Sequence, residues 1–390
     1  MKICTGNPVE GEDFFGRELE QEQIWRKIES NHILMLAPRR VGKTSLMRRL
    51  CDTGKDHGYQ VVLCSFAPCD DELHCIERVL AAVTDNATVS KGWLEKLQPH
   101  LAKLRGIKLA GVGIEFEGTD RSQWRYIGEG LLQTLSQLEE PIIICVDEVP
   151  IFLLKLLKQE NGREKAQSFL NWFRDLRQAH SKNVRWILAG SIGLDTVVSR
   201  IGLGDTINDL PPFALGAFDQ ENAEALIMEL AKDYDVLLET PAREYIISKI
   251  GWPTPYYLQL MMDKLIDQNH PKGTNIDTGM IDQAFEELLK PAYKIHFDYW
   301  RQRLSEELGV PDCEHAEELL NAVCRDITGV SYDNLSQILS QKITDTSERK
   351  QKLRYLLDVL ENDGYIVEVK GRYQFRLEWL REYWLRRVAP

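Results

Sequence analysis

The sequence predicts an α/β fold with a parallel-sheet core, followed by a helical segment and a small terminal domain. Three observations carry this prediction. An apolar run, Ile33-Leu34-Met35-Leu36, leads directly into Ala37-Pro38-Arg39-Arg40-Val41-Gly42-Lys43-Thr44-Ser45. A second run, rich in β-branched residues, spans Ile142 to Val146 and ends in the acids Asp147 and Glu148. From Phe213 onward helical spacing dominates, and the chain closes on three helices and a hairpin.

The opening residues are polar up to Phe14-Phe15-Gly16-Arg17-Glu18, after which Leu19, Ile24, Trp25 and Ile28 mark a helix. Ile33–Leu36 is the first strand, and the motif at its end gives each residue type a physical role. Gly42 lets backbone N–H groups turn toward phosphates, Lys43 brings positive charge to the β- and γ-phosphates, and the Thr44 hydroxyl can ligate Mg²⁺. A helix opening at about Lys43, through Ser45-Leu46-Met47-Arg48-Arg49-Leu50, adds the positive end of its dipole. This P-loop deviates from its signature at Ala37, which replaces the first glycine and is tolerable if its φ is negative.

A second strand is expected over Gln60 to Phe66. Residues 70 to 105 read as helices, with Ile76, Val79, Leu80 and Val83, then Trp93, Leu94, Leu97, Leu101 and Leu104, at helical spacing. Ile107 to Phe116 alternates and reads as a short hairpin. A helix around Tyr126 to Leu138 leads into the strand ending at Asp147. Flanked by Pro141 and the two acids, that strand reads as parallel and buried, so its acids emerge at the C-terminal sheet edge where open α/β sheets bind ligands. Asp147 would hold Mg²⁺ through its water shell, and Glu148 would orient and deprotonate the attacking water. Acids also begin helices favourably against the dipole, but the position downstream of a P-loop points to ATP or GTP binding. A helix through Phe169, Leu170, Trp172, Phe173 and Leu176 then precedes a strand, Val184 to Gly190, which ends in Gly190-Ser191.

Helices follow at Ala223 to Leu230 and Ala242 to Ile250. The break Gly251-Trp252-Pro253-Thr254-Pro255 introduces the apolar helix Tyr256 to Ile266, and Asp267 to Thr278 is a polar hinge. In the last ninety residues, helices at Ala316 to Cys324, Asn334 to Leu339 and Glu348 to Asn362 precede a hairpin, Tyr365 to Phe375, turning at Lys370-Gly371. That order is the winged-helix arrangement. An aromatic helix with Trp379, Tyr383 and Trp384 ends the chain.

The 390 residues leave room for two or three domains, and 43% hydrophobic with 28% charged residues is an ordinary globular composition. A net charge of -12 argues against a chain that coats nucleic acid or anionic membrane, though not against one local basic face. The eight cysteines lie scattered without a CxxC pair, which suits free thiols in a reducing cytoplasm. Cys69, His74 and Cys75 match no zinc spacing. Nothing resembles a signal peptide and no apolar run approaches about 18 residues, so a cytoplasmic protein without membrane contact is expected.

With these motifs in order, the chain resembles the archaeal-type P-loop ATPases of the STAND class, relatives of the AAA+ and origin-recognition ATPases, over essentially its whole length. Phe15-Gly16-Arg17-Glu18 is similar to that family's N-terminal box, which implies that Phe15 and Arg17 approach the adenine. Pro38-Arg39-Arg40-Val41-Gly42-Lys43-Thr44-Ser45 is similar to its P-loop, where paired arginines are frequent. Ser191 matches the polar sensor near the γ-phosphate, and Pro255 the lid proline beside the base, with Pro253 competing for that role. The resemblance implies an α/β ATPase core over 1–212, a helical lid over 213–295 and a winged-helix domain over 296–390. Arg185, Arg200 and Arg243 are candidates for an arginine finger by location alone.

The leading expectation is a slow or regulated Mg²⁺-dependent ATPase switch, using ATP to set the orientation of the winged helix. Self-assembly or a protein partner would supply further groups. The alternative is a DNA-binding ATPase of origin-recognition or transposition-regulator type, contacting double-stranded DNA through Arg349, Lys350, Lys352 and Arg354, with Lys370 and Arg372 on the wing. Interleaved acids, Asp345, Glu348, Asp358, Glu361 and Glu368, weigh toward the partner role. Glu148 argues against a module that binds nucleotide without hydrolysing it.

Overall fold

The computed structural model describes residues 1–84, 95, 108–110, 113–115, 121–190, 193–268 and 274–389. They form two compact units. One comprises Arg17–Ala37 and Lys43–Leu215, the other Met1–Gly16, Pro38–Gly42 and Gly216–Pro390.

The first unit is an α/β layer structure around a five-stranded sheet. Its strands are β1 (Ile33–Leu36), β2 (Gln60–Ser65), β5 (Ile142–Asp147), β6 (Val184–Gly190) and β7 (Pro212–Ala214), in the spatial order β2-β5-β6-β1-β7 and all parallel. A separate antiparallel hairpin pairs β3 (Lys108–Ala110) with β4 (Gly113–Glu115), as the alternation from Ile107 suggested. Every residue of β5 is buried, because β2 and β6 flank it and helices cover both faces. Helices Glu72–Thr84, Trp124–Ser136, Val149–Leu157 and Gly162–Ala179 supply the core with Leu80, Leu131, Phe152 and Phe169. The expected helix through Trp93, Leu94, Leu97, Leu101 and Leu104 lies outside the described residues.

Two elements of this unit carry no signal in the sequence. The helix Val149–Leu157 is almost wholly apolar, so no polar face sets a helical period. Strand β7 has three residues and begins with a proline; only pairing with β1 makes it a strand.

The second unit is helical, with an antiparallel sheet near its end. Helices Gln220–Asp233, Thr240–Ile250, Pro255–Asp267 and Thr278–Leu288 are followed by Asp298–Leu308, Asp312–Val323, Tyr332–Leu339 and Thr346–Asn362. Strands β8 (Val330–Ser331), β9 (Ile366–Val369) and β10 (Arg372–Phe375) form the sheet, in the order β8-β10-β9. Lys370 and Gly371 both take positive φ, the requirement of a tight turn matched to the twist of a hairpin. The helix Glu378–Arg387 closes the chain. Thr278–Leu288, Asp298–Leu308 and β8 were not read from the sequence.

Within this unit, aromatic side chains of the segments before and after residue 295 pack on one another. Trp300 Nε1–H donates to the Tyr257 hydroxyl at 3.1 Å, and Trp379 stacks on Phe285 with centroids 5.1 Å apart. A fully buried indole needs a partner for its N–H, and these contacts fix the two segments against each other. Among the described residues no helix is long and apolar enough to cross a membrane.

Candidate active site

The site begins at the C-terminal ends of β1 and β5. Leu188 of β6 pairs with Leu34 on one side and Val146 on the other, so Asp147 stands level with Met35 at the sheet edge. Lys43 opens the helix Lys43–Thr53 that follows the P-loop. Its Nζ lies 2.9 Å from Asp147 Oδ1 and 3.5 Å from Glu148 Oε1. Lys43 and Asp147 are only 8% and 7% exposed, so each charge requires a partner. The Thr44 hydroxyl donates to Asp147 Oδ2 at 2.9 Å, and the backbone N–H of Glu148 donates to Asp147 Oδ1 at 2.9 Å.

Glu148 has φ 59°, in the left-handed region, immediately before the helix Val149–Leu157. A non-glycine residue held there costs on the order of 1–3 kcal/mol and persists only when its surroundings require it. Here its own N–H is fixed by Asp147 and its carboxylate faces the Lys43 ammonium. Thr44 Oγ1 and Asp147 Oδ2 form a pair of hard oxygen donors on one spot. That set suits Mg²⁺, which takes one or two protein oxygens and completes its shell with water and substrate phosphate. Among the described residues no cluster of three or more His, Cys, Asp or Glu could hold a metal without such help.

The turn preceding Lys43 belongs to the second unit and is described with it. Arg40 and Gly42 have φ of 70° and 93°, while Ala37, Pro38, Arg39 and Val41 keep φ out of the positive region. The replacement of glycine at Ala37 therefore costs no backbone strain. A Cβ on Gly42 would meet nothing closer than Pro255 Cγ at 3.9 Å, so this glycine serves its backbone angle and not a lack of space. Pro255 is the first residue of the helix Pro255–Asp267, capped by the Thr254 side chain, and it stands beside the turn. Pro253 instead accepts the Phe218 N–H through its carbonyl at 3.1 Å. The Arg40 guanidinium lies 3.9 Å from the Tyr256 ring centroid and 5.3 Å from that of Tyr299; Arg39 lies 5.7 Å from Tyr299.

Phe15 packs edge-on to Phe218 at 6.4 Å, and Gly16, with φ 68°, lies close under the same ring. Arg17, in the first unit, precedes the helix Glu18–Ile28 with φ 71° and forms an ion pair with Glu20. Ser45 is buried in the P-loop helix. Gly190 pairs with Leu36, but Ser191 lies outside the described residues. Of the finger candidates, Arg185 donates to the carbonyls of Ile28 and Glu29 at 2.9 and 2.7 Å, and Arg243 to that of Leu238 at 2.6 Å. Both are tied into their own fold. Arg200 is exposed at the end of the helix Leu194–Arg200.

The basic helix of the terminal segment divides in two. Arg349 donates to the carbonyls of Ile343 and Thr344 at 3.0 and 3.3 Å, and Lys352 is bound 2.7 Å from the buried Asp312. Lys350 and Arg354 are exposed. On the hairpin, Lys370 is exposed, whereas Arg372 donates to the Thr328 carbonyl at 3.1 Å and also bonds that of Gly329. Four phosphate-contacting bases on one helix are therefore not presented together. Sequence reasoning missed Tyr256 and Tyr299, although the aromatic pairs Tyr256-Tyr257 and Tyr299-Trp300 were visible signals.

A family model described as an AAA-like domain matches residues 8–290, well over half of the chain. The fold is similar to the Walker-type ATPase PABY2304 of Pyrococcus abyssi, at 16% identity and a TM-score of 0.65, over 98% of this chain and 99% of that one. Weaker likenesses are to the ORC2 protein of Aeropyrum pernix in ADPNP–ADP complexes, at 10% identity and TM-score 0.46 over 97% and 98% of the two chains. The Aeropyrum pernix ORC1 protein in complex with DNA follows at 14% identity and TM-score 0.42, over 95% and 92%. The first speaks for the fold, and the other two carry no argument. No curated protein matches the sequence.

Proposed function

The chain belongs to the AAA-like domain family, and on that premise we propose that it is an Mg²⁺-dependent ATPase switch. The observation that carries this reading is the convergence of Lys43, Thr44, Asp147 and Glu148 at one sheet edge. Lys43 exchanges the two carboxylates for the β- and γ-phosphates of ATP. Thr44, and Asp147 through a water shell, would hold Mg²⁺, which when bound would neutralise charge on the phosphate oxygens. Glu148, freed from Lys43, orients a water toward the γ-phosphorus and takes its proton. Pro38 to Ser45 cradle the phosphates; Phe15, Arg17 and Pro255 border the base, and Ser191 senses the γ-phosphate.

In this reading the terminal helices and hairpin form a winged helix that serves as a partner-docking surface. The engagement of Arg349, Lys352 and Arg372 within their own segment supports that role over double-stranded DNA. Phosphate release from ATP, with and without Mg²⁺, tests the proposal. Hydrolysis is expected only with the metal, and a chain that neither binds nor hydrolyses ATP or GTP overturns it.

A further inference from the structure

Left-handed φ at Arg40 and Gly42, with Val41 between them outside that region, is the alternation of backbone angles from which anion-receiving turns are built. Gly42 adopts this conformation freely, but an arginine does not. Something must hold Arg40 there. Its guanidinium stacks over Tyr256 at 3.9 Å and flanks Tyr299 at 5.3 Å. Both rings are fixed in turn. The Tyr256 hydroxyl is hydrogen-bonded to His296 Nδ1 at 2.6 Å, and the Tyr299 hydroxyl to that of Tyr257 at 3.2 Å. Tyr257 is completely buried and also receives the Trp300 indole N–H at 3.1 Å, so the Tyr299 ring that Arg40 meets is tied to the buried core.

We propose that Tyr256 and Tyr299 are positioning residues for nucleotide: by stacking on Arg40 they hold the phosphate turn in its anion-receiving shape. The proposal rests on the reading that this turn binds a nucleoside phosphate, and it adds what sets the affinity. Residues more than two hundred positions downstream in the sequence offset the strain of a non-glycine at Arg40. A direct phosphate contact by Arg40 would make different predictions, because glycine at that position would then be as damaging as alanine.

The test is ADP affinity of the full chain by titration calorimetry, in the parent and in Y256F, Y256L, R40A, R40G and the double variant Y256L/R40G. Y256F keeps the ring and should bind more tightly than Y256L, which is expected to lose about five- to tenfold, the range of a partly desolvated cation–π contact. R40A loses the stack while keeping a Cβ at positive φ, and should bind about fivefold more weakly than R40G. Adding R40G to Y256L should recover most of the loss, because glycine needs no stack. Equal or tighter binding by Y256L overturns the proposal, as does failure of R40G to recover affinity. If Y256L does not fold, the R40A and R40G pair on the half-buried turn decides alone. A parent that binds neither ADP nor ATP defeats the nucleotide reading itself, a distinct outcome.

Discussion

Lys43 and Lys352 each form a close ion pair with a buried aspartate, at 2.9 Å to Asp147 and 2.7 Å to Asp312, yet the two regions do different things. Lys43 opens a helix and faces the end of the parallel strand β5, beside a hydroxyl and a second carboxylate. Lys352 lies within the helix Thr346–Asn362 and braces it to the first turn of Asp312–Val323. An ion pair by itself therefore does not mark a site. What marks one is a convergence of chemically different groups where a parallel strand ends and a helix begins.

The comparison breaks first at Lys43. Lys43→Ala should weaken ATP binding by about a thousandfold or more, since a direct charge partner of the phosphates is removed from a buried setting. The fold should survive by circular dichroism. ATP affinity at the parent level would place the phosphate site elsewhere.

Next comes the division of labour between the two acids. Glu148→Gln should retain Mg-ATP and slow hydrolysis by about a hundredfold or more, the usual range for a missing general base. Asp147→Ala should instead lose the Mg²⁺ dependence of binding. Single-turnover phosphate release together with equilibrium binding separates the two, and a Glu148→Gln enzyme at the parent rate removes Glu148 from the chemistry.

At Lys352 the readout is stability, not nucleotide. Lys352→Ala leaves Asp312 buried without its cation and should cost roughly 1–3 kcal/mol in denaturant unfolding, with ATP affinity unchanged. A thermodynamically silent Lys352→Ala would return this lysine to the pool of available surface cations.

The smallest effect is expected from Lys350→Ala with Arg354→Ala, both exposed. Stability should change by no more than about 0.5 kcal/mol. If these residues do bind DNA phosphates, the slope of log K against log salt should fall by roughly 0.9 for each phosphate released by the substitutions. The partner reading expects only feeble DNA binding at about 150 mM salt, with no such slope to diminish.

The sequence alone determined β1, β2, β5 and β6, the P-loop helix and the acidic strand end, because each carries a local signature. Ile33–Leu36 and Ile142–Asp147 are runs too apolar to be anything but buried, and Gly42-Lys43-Thr44 has few uses besides phosphate. The hairpin at Lys370-Gly371 was legible for the same reason, since its turn chemistry is written in adjacent residues. Tertiary structure alone decided three things. It made β7 a strand by giving three residues a neighbour in β1. It removed Lys352 and Arg372 from the set of available cations by supplying a carboxylate and carbonyls more than thirty residues away along the chain. And it brought Tyr256 and Tyr299 over Arg40. Partners of this kind lie far apart along the chain or depend on the packing of whole helices, and no local period or spacing encodes them. Propensity and pattern report what a segment prefers, whereas which charge meets which ring is settled only when separate segments bury their apolar faces together.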